Sequence, residues 1–461
     1  MTGTATATAP GSGGGPDVLA ATAPVPVIPA HSLLVFLLGL GVLLLVALLL
    51  GRLAVRCGLP AVVGELTTGI LLGPTVLGAV APGVSDWFLP RQAEQFHLLD
   101  AVGQVGVLLL VGLTGVEVDL AFVRRRGGTA ARISLAGLLL PLGLGIATAY
   151  LLPASLLGAG TDREVFALFL GVAMCVSAIP VIAKTLLDMK LLHRNIGQLT
   201  LAAGVIDDIC GWLLLSVVSA LATTGVRAGT VLFSVCAVLG FVLFAALIGR
   251  PASAVALRAA GRADGPGPLV ATTVVLILLG AAATQSLGLE AVFGAFVVGF
   301  VIGSVPGLDR ERLAPLRTIV LAVLAPIFFA SAGLRMDLTA LADAPVLAAA
   351  LAVIAVAILG KFTGAFLGAW TSRLNRWEAL ALGAGMNARG VIEVVVATVG
   401  LRLGVLNTAT YTIVVLVAVV TSVMAPPILR WAMSRVEQTA EEELRRLGTA
   451  DRSGAVDLRG G

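Results

Sequence analysis

Apolar residues run along this chain in long blocks, and short charged loops separate them. A helix that crosses a bilayer needs about 20 such residues in a row. Blocks near 32–53, 60–79, 98–118, 133–153, 164–187, 195–223, 228–249, 268–287, 289–305, 314–334, 344–371, 376–401 and 406–430 meet or approach that length. They predict an all-α polytopic membrane protein of about 13 transmembrane helices. The boundary between the eighth and ninth is the softest.

The loop charges bear on this count independently. Loops after the odd-numbered spans, together with the C-terminal segment, hold 22 of the 30 Lys and Arg, and the alternate loops hold 5. Cytoplasmic loops carry such an excess. The alternation predicts a multi-pass protein of the cell membrane, with its N-terminus outside and its C-terminus in the cytoplasm.

Composition agrees. The chain is 58% hydrophobic and only 12% charged, where soluble domains carry about 25% charge. Its net charge of +4 does not point to nucleic acid, because the basic residues lie in the loops on one side. The four cysteines have neither metal-ligand nor CxxC spacing. Residues 1–30 are rich in Ala, Thr, Pro and Gly and lack a positive n-region, so they read as a disordered tail rather than a signal peptide. Residues 433–461 read as a short charged cytoplasmic tail. No GxGxxG element follows the membrane region, so no appended nucleotide-binding domain and no cofactor are expected.

The chemistry lies in the charges that stay inside spans: Asp207, Asp208, Lys361, Arg389 and Glu393, with Lys184 and Glu65 nearer span ends. Each is costly in lipid, and such residues mark paths for ions or protons. Neighbouring helix positions point about 100° apart, so Asp207 and Asp208 cannot face one shared proton. One can face an aqueous cavity while the other meets a partner helix, and Lys361 is a natural partner. A carboxylate taken out of water holds its proton more readily. It can then carry a proton or a cation, but not both well, and alternating access turns that competition into exchange.

Two spans are interrupted. LGVAMCVSAIPVIAKTLL contains Pro180, which removes a backbone donor, and Ser177, which can satisfy a freed group. LALGAGMNARGVIEVVVATVG contains Gly383, Gly385 and Gly390 beside Asn387, Arg389 and Glu393. Interrupted spans point to a transporter site. Spans 4–6 and 11–13 are offset by seven spans, an odd number, which predicts inverted repeats. Two broken crossing helices would aim their half-helix dipoles at the site, and Arg389 and Glu393 could offset those partial charges.

At these residues the chain resembles the monovalent cation:proton antiporters, the sodium/proton exchanger fold, over roughly 35–430. The markers are VVGELTTGILLGPTVLG, VGVLLLVGLTGVEVDL, the Asp207–Asp208 pair, EAVFGAFVVGFVIG, APIFFASAGLRMDL, Lys361 and the Arg389–Gly390 step. The resemblance implies a membrane unit, here 31–432, in which a core (about 130–223 and 344–430) moves against a dimerisation scaffold (about 32–120 and 268–334). A linker helix at about 228–249 would join them. It implies Asp208 as the main cation and proton carrier, Asp207 as a second carboxylate of the site and partner of Lys361, and a homodimer in lipid. A paired aspartate is associated with electrogenic exchange. Many relatives have Glu directly after the Arg-Gly step, whereas here Val391 and Ile392 precede Glu393. That pattern is similar to the branch with plant cation/proton exchangers, several of them linked to potassium, so the residues do not single out Na+ over K+ or Li+.

Three other readings compete. A cation channel-like efflux protein could use the same carboxylates, but no filter loop is visible. An intramembrane aspartyl protease needs two facing aspartates, whereas these are adjacent. A non-transporting sensor would not need the carboxyl of Asp208.

Overall fold

A computed structural model describes residues 28–88, 93–118, 120–179, 193–224 and 228–440, with single positions between 182 and 191 and at 442 and 443. The expectations for residues 1–27, for Pro180 and Lys184, and for 444–461 fall outside the described residues.

The described residues form fourteen principal helices. They are α1 (Ala30–Arg56), α2 (Ala61–Leu72), α3 (Ala93–Glu117), α4 (Leu120–Leu151), α5 (Arg163–Cys175), α6 (Asn195–Thr224), α7 (Ala228–Phe244, running on to Gly261), α8 (Gly267–Ser286), α9 (Ala291–Gly303), α10 (Ala314–Ile319, running on to Leu334), α11 (Ala344–Thr371), α12 (Arg376–Met386), α13 (Val391–Arg402) and α14 (Thr408–Met433). Their carbonyl and amide groups pair within each helix, the arrangement a bilayer demands. Among the described residues, ten helices are long and apolar enough to cross a membrane, or eleven if α12 and α13, bent by 44°, count as one span. The thirteen expected from the sequence are not reached by this measure. One reason is that α9 has only 13 residues. Another is that α5 stops at Cys175, well short of the block ending at 187.

The seventh block also runs further than expected, to Gly261. A wide π turn at Ala245–Gly249 lies just before Pro251, and a second at Val320–Leu324 lies just before Pro326. Proline removes a donor and crowds the preceding turn. A local widening of the ladder carries each helix past its proline without ending it.

Leu37, Leu45, Leu49 and Leu53 of α1, and Leu232, Leu239, Leu243 and Leu247 of α7, are exposed. Apolar rows of this length suit lipid, not water. Inside, α3 packs on α9 and α10, α2 on α1 and α10, and α8 on α9. Elsewhere α4 lies along α11 and packs on α5 and α6, while α14 packs on α12 and α13. At the α3–α9 crossing a Cβ on Gly299 would lie 1.9 Å from the Gly112 carbonyl oxygen, so the two backbones touch directly.

After α14 the chain folds back on the start of α6. Arg194 donates to the carbonyls of Val436 (2.9 Å) and Glu437 (3.1 Å) and pairs with Glu442 at 3.2 Å. The Glu442 carboxylate accepts from the amides of Asn195 (2.6 Å) and Thr439 (2.8 Å). Burial pushes the Glu442 carboxyl up, but those amides and Arg194 outweigh it and hold the group below its ordinary value of 4.5. A lowered carboxyl stabilises the folded contact above the unfolded value and releases it as pH falls through the folded one. Limited proteolysis is therefore expected to leave the 434–443 segment protected at pH 7 and to open it only below about pH 4.5. The Glu442→Gln protein should be cut faster at pH 7, and equal protection would show that the charge is not what holds the segment.

Candidate functional site

The site forms where two helices stop inside the protein. α5 ends at Cys175, and Val176 is already extended, with φ −77° and ψ 150°. On the other side, α12 starts from a capping box in which the Asn375 side chain accepts from the Trp377 and Glu378 amides while Glu378 reaches back to the Asn375 amide. It stops at Met386, and α13 starts afresh at Val391. The two breaks meet. The Ala178 amide donates to the Ala388 carbonyl at 3.3 Å, and Ser177 Oγ lies 2.7 Å from the Met386 carbonyl oxygen.

Each stopped helix leaves backbone groups without partners. Two cations meet those at the end of α5. Arg389 donates to the carbonyls of Ala173 (2.9 Å) and Met174 (2.6 Å), and Lys361 Nζ donates to that of Cys175 (2.6 Å). Positive charge at a helix C-terminus also opposes the helix dipole. Arg389 further donates to the Ala357 carbonyl of α11 at 3.1 Å and pairs with Glu393 at 3.3 Å, in the first turn of α13, where negative charge is favourable. The Arg389 carbonyl in turn accepts from Ser422 Oγ of α14.

The two aspartates project from α6 into different surroundings. Asp207 is fully buried, and both its oxygens are engaged. Lys361 Nζ of α11 lies 2.5 Å from Oδ2, Ser134 Oγ of α4 donates to Oδ1 at 2.5 Å, and Ser177 Oγ is 2.8 Å from Oδ2. Ser177 has one hydroxyl proton for two acceptors, Asp207 and Met386, so it serves one at a time. The tight α4–α11 contact brings Ser134 and Lys361 to the same point: a Cβ on Gly364 would lie 2.4 Å from the Ala136 carbonyl oxygen.

Asp208 is as deeply buried but nearly unpartnered. Its Oδ1 accepts one long bond, 3.4 Å, from the Ile179 amide, and its Oδ2 has no partner. Trp212 Nε1, Ser216 Oγ and Ser219 Oγ follow at helical spacing on the same side of α6, buried and also without partners. Trp212 packs on Phe296 of α9, with ring centroids 6.2 Å apart. Among the described residues no group of three or more His, Cys, Asp or Glu could hold a metal ion.

Asp207, Asp208, Ser177, Lys361, Asn387, Arg389, Gly390 and Glu393 thus converge on one crossing. Ser134 is an addition. A lone serine in an apolar span carries no signal of its own, because most such hydroxyls bond back to their own helix. Arg389 bonds a neighbouring helix end as well as Glu393, and the i,i+4 spacing showed only the latter.

Comparison with known proteins bears on family and fold. The profile of the family described as sodium/hydrogen exchanger, transmembrane, matches residues 41–435. Cation/H(+) antiporter 17 of Arabidopsis thaliana is 31% identical over 400 residues, 87% of this chain and 48% of that protein. The Na(+)/H(+) antiporter NhaS4 of Synechocystis is 30% identical over 401 residues, covering 87% of this chain and 97% of that one. This chain spans about half the length of the plant relative. The solved sodium proton antiporter MjNhaP1 of Methanocaldococcus jannaschii aligns with a TM-score of 0.62 over 87% of this chain and 99% of its own, at 17% identity, a likeness of fold.

The geometry has a measurable consequence. Removing one member of a buried pair strands the other charge and costs about 3–5 kcal/mol. Lys361→Met should therefore lower the unfolding temperature in detergent sharply. The double variant Lys361→Met with Asp207→Asn should recover most of the loss, because no bare charge remains. Equal melting of Lys361→Met and wild type would mean the pair does not support the fold.

Proposed function

We propose that this chain, which belongs to the sodium/hydrogen exchanger family, moves protons against a monovalent cation across the membrane, with Asp208 as the group that carries either. The observation behind this reading is the contrast between the two aspartates. Asp207 has both oxygens engaged by Lys361, Ser134 and Ser177, while Asp208 keeps Oδ2 free beside the two broken helices. A buried carboxylate without a partner is unfavourable unless a proton or a cation completes it. One oxygen cannot hold both at once, so loading one expels the other.

The packing supports a reading by alternating access. The α4–α6 and α11–α14 helices would move as the core past a scaffold of α1–α3 and α8–α10, with α7 between them and the scaffold forming a dimer. The unpartnered row Trp212, Ser216 and Ser219 lies on the Asp208 side of α6, with Trp212 on α9, and it would take up water when that seam opens. The Arg402–Glu290 pair, 2.6 Å, joins the end of α13 to the start of α9 across the same seam. The loop charges put the N-terminus outside. The transported ion is Na+, K+ or Li+. Family membership makes the chain a transporter, not an enzyme.

The test is reconstitution in vesicles that hold an internal pH dye and an imposed proton gradient. Addition of one of the three cations should dissipate the gradient at a rate that saturates. Asp208→Asn should abolish the response while folding normally. Cation flux without proton movement would replace the exchanger with a channel-like pathway. Full activity in Asp208→Asn would remove Asp208 from the role.

A further inference from the structure

Asn387 is completely buried, yet neither Oδ1 nor Nδ2 of its side chain has a partner. A primary amide offers two donors and two acceptor positions. Leaving all of them unused inside a protein is expensive and rare. The residue does end α12, but through its backbone: its amide donates to the Gly383 carbonyl at 3.0 Å, and its side chain caps nothing. Helix termination therefore does not explain the side chain.

Its place in the chain narrows the explanation. The carbonyls on either side of it are anchored to the opposite break, Met386 by Ser177 at 2.7 Å and Ala388 by Ala178 at 3.3 Å. The next residue, Ile179, where the helix resumes, donates to Asp208 at 3.4 Å. Residues 177–179 thus bond Asp208 and the two carbonyls that flank Asn387, whose own side chain, like Asp208 Oδ2, is buried without a partner.

We infer that Asn387 is a specificity-determining ligand of the transported cation, supplying a neutral oxygen beside the charged one of Asp208. The inference rests on the exchanger reading and deepens it. A monovalent cation stripped of water needs several oxygens but only one negative charge. An amide oxygen provides coordination without adding charge. Its reach and dipole then help decide which cation size is favoured. In that role a shorter hydroxyl or a methyl at 387 changes the order of preference rather than the overall rate alone.

The experiment compares wild type, Asn387→Ala and Asn387→Ser in two measurements. One is the half-saturating concentration of Na+, K+ and Li+ for proton movement in vesicles. The other is the rise in unfolding temperature that each cation produces in detergent, which reports binding without transport. Loss of one ion contact is expected to change the preference between two of the cations by about ten-fold, in both measurements. A residue that only shapes the break would slow all three cations alike. Unchanged preferences in both variants would overturn the assignment and leave the exchanger reading standing. Failure of wild type to respond to any cation in either measurement would overturn both. If neither variant folds, Asn387 belongs to the fold and the assignment falls.

Discussion

A helix that stops inside a membrane must have its last carbonyls and first amides satisfied from elsewhere, and the centre of this protein is organised around that requirement. α5 stops at Cys175 and α12 at Met386, and their free ends face each other. The chain solves the problem with Arg389 and Lys361, which between them cover three consecutive carbonyls at the end of α5. Both cations come from other elements. The helix end, the break opposite and α11 are therefore tied into one unit.

The aspartates depend on that arrangement. Lys361 serves two masters, the Cys175 carbonyl and the Asp207 carboxylate. Lys361 pairs with Asp207, and Asp208, the next residue, is left as the carboxylate without a charged partner. Adjacent residues on one helix thus meet different surroundings for a geometric reason: they point about 100° apart, Asp207 to Lys361, Ser134 and Ser177 and Asp208 to the Ile179 amide. Ser177 sits at the junction, with one proton to share between Asp207 and the Met386 carbonyl. A change at either acceptor is felt at the other.

The surrounding helices meet by close backbone contact as well as by side-chain packing. Glycine allows α3 to touch α9 and α11 to touch α4, and it keeps those surfaces smooth. Between α9 and α13, Arg402 pairs with Glu290 toward the helix ends. At the other end of the molecule, Glu442 and Arg194 pin the segment after α14 to the first residues of α6, the helix that carries both aspartates.

Much of this was legible in the amino acids alone. Long apolar blocks determined a helical membrane protein, because a run of about 20 apolar residues can satisfy its own backbone groups in lipid as a helix. The pairing of Lys361 with Asp207 followed from the resemblance and from charge. The exact span count did not follow, since hydropathy cannot see that α9 is only 13 residues long or that α5 ends at Cys175. Nor could the sequence assign partners to Ser134, or to Arg389 beyond Glu393. Those depend on which backbone carbonyls and hydroxyls come within about 3 Å, a distance at which a hydrogen bond exists or does not. Such contacts join positions 30 to more than 200 residues apart, and only the packed chain brings them together.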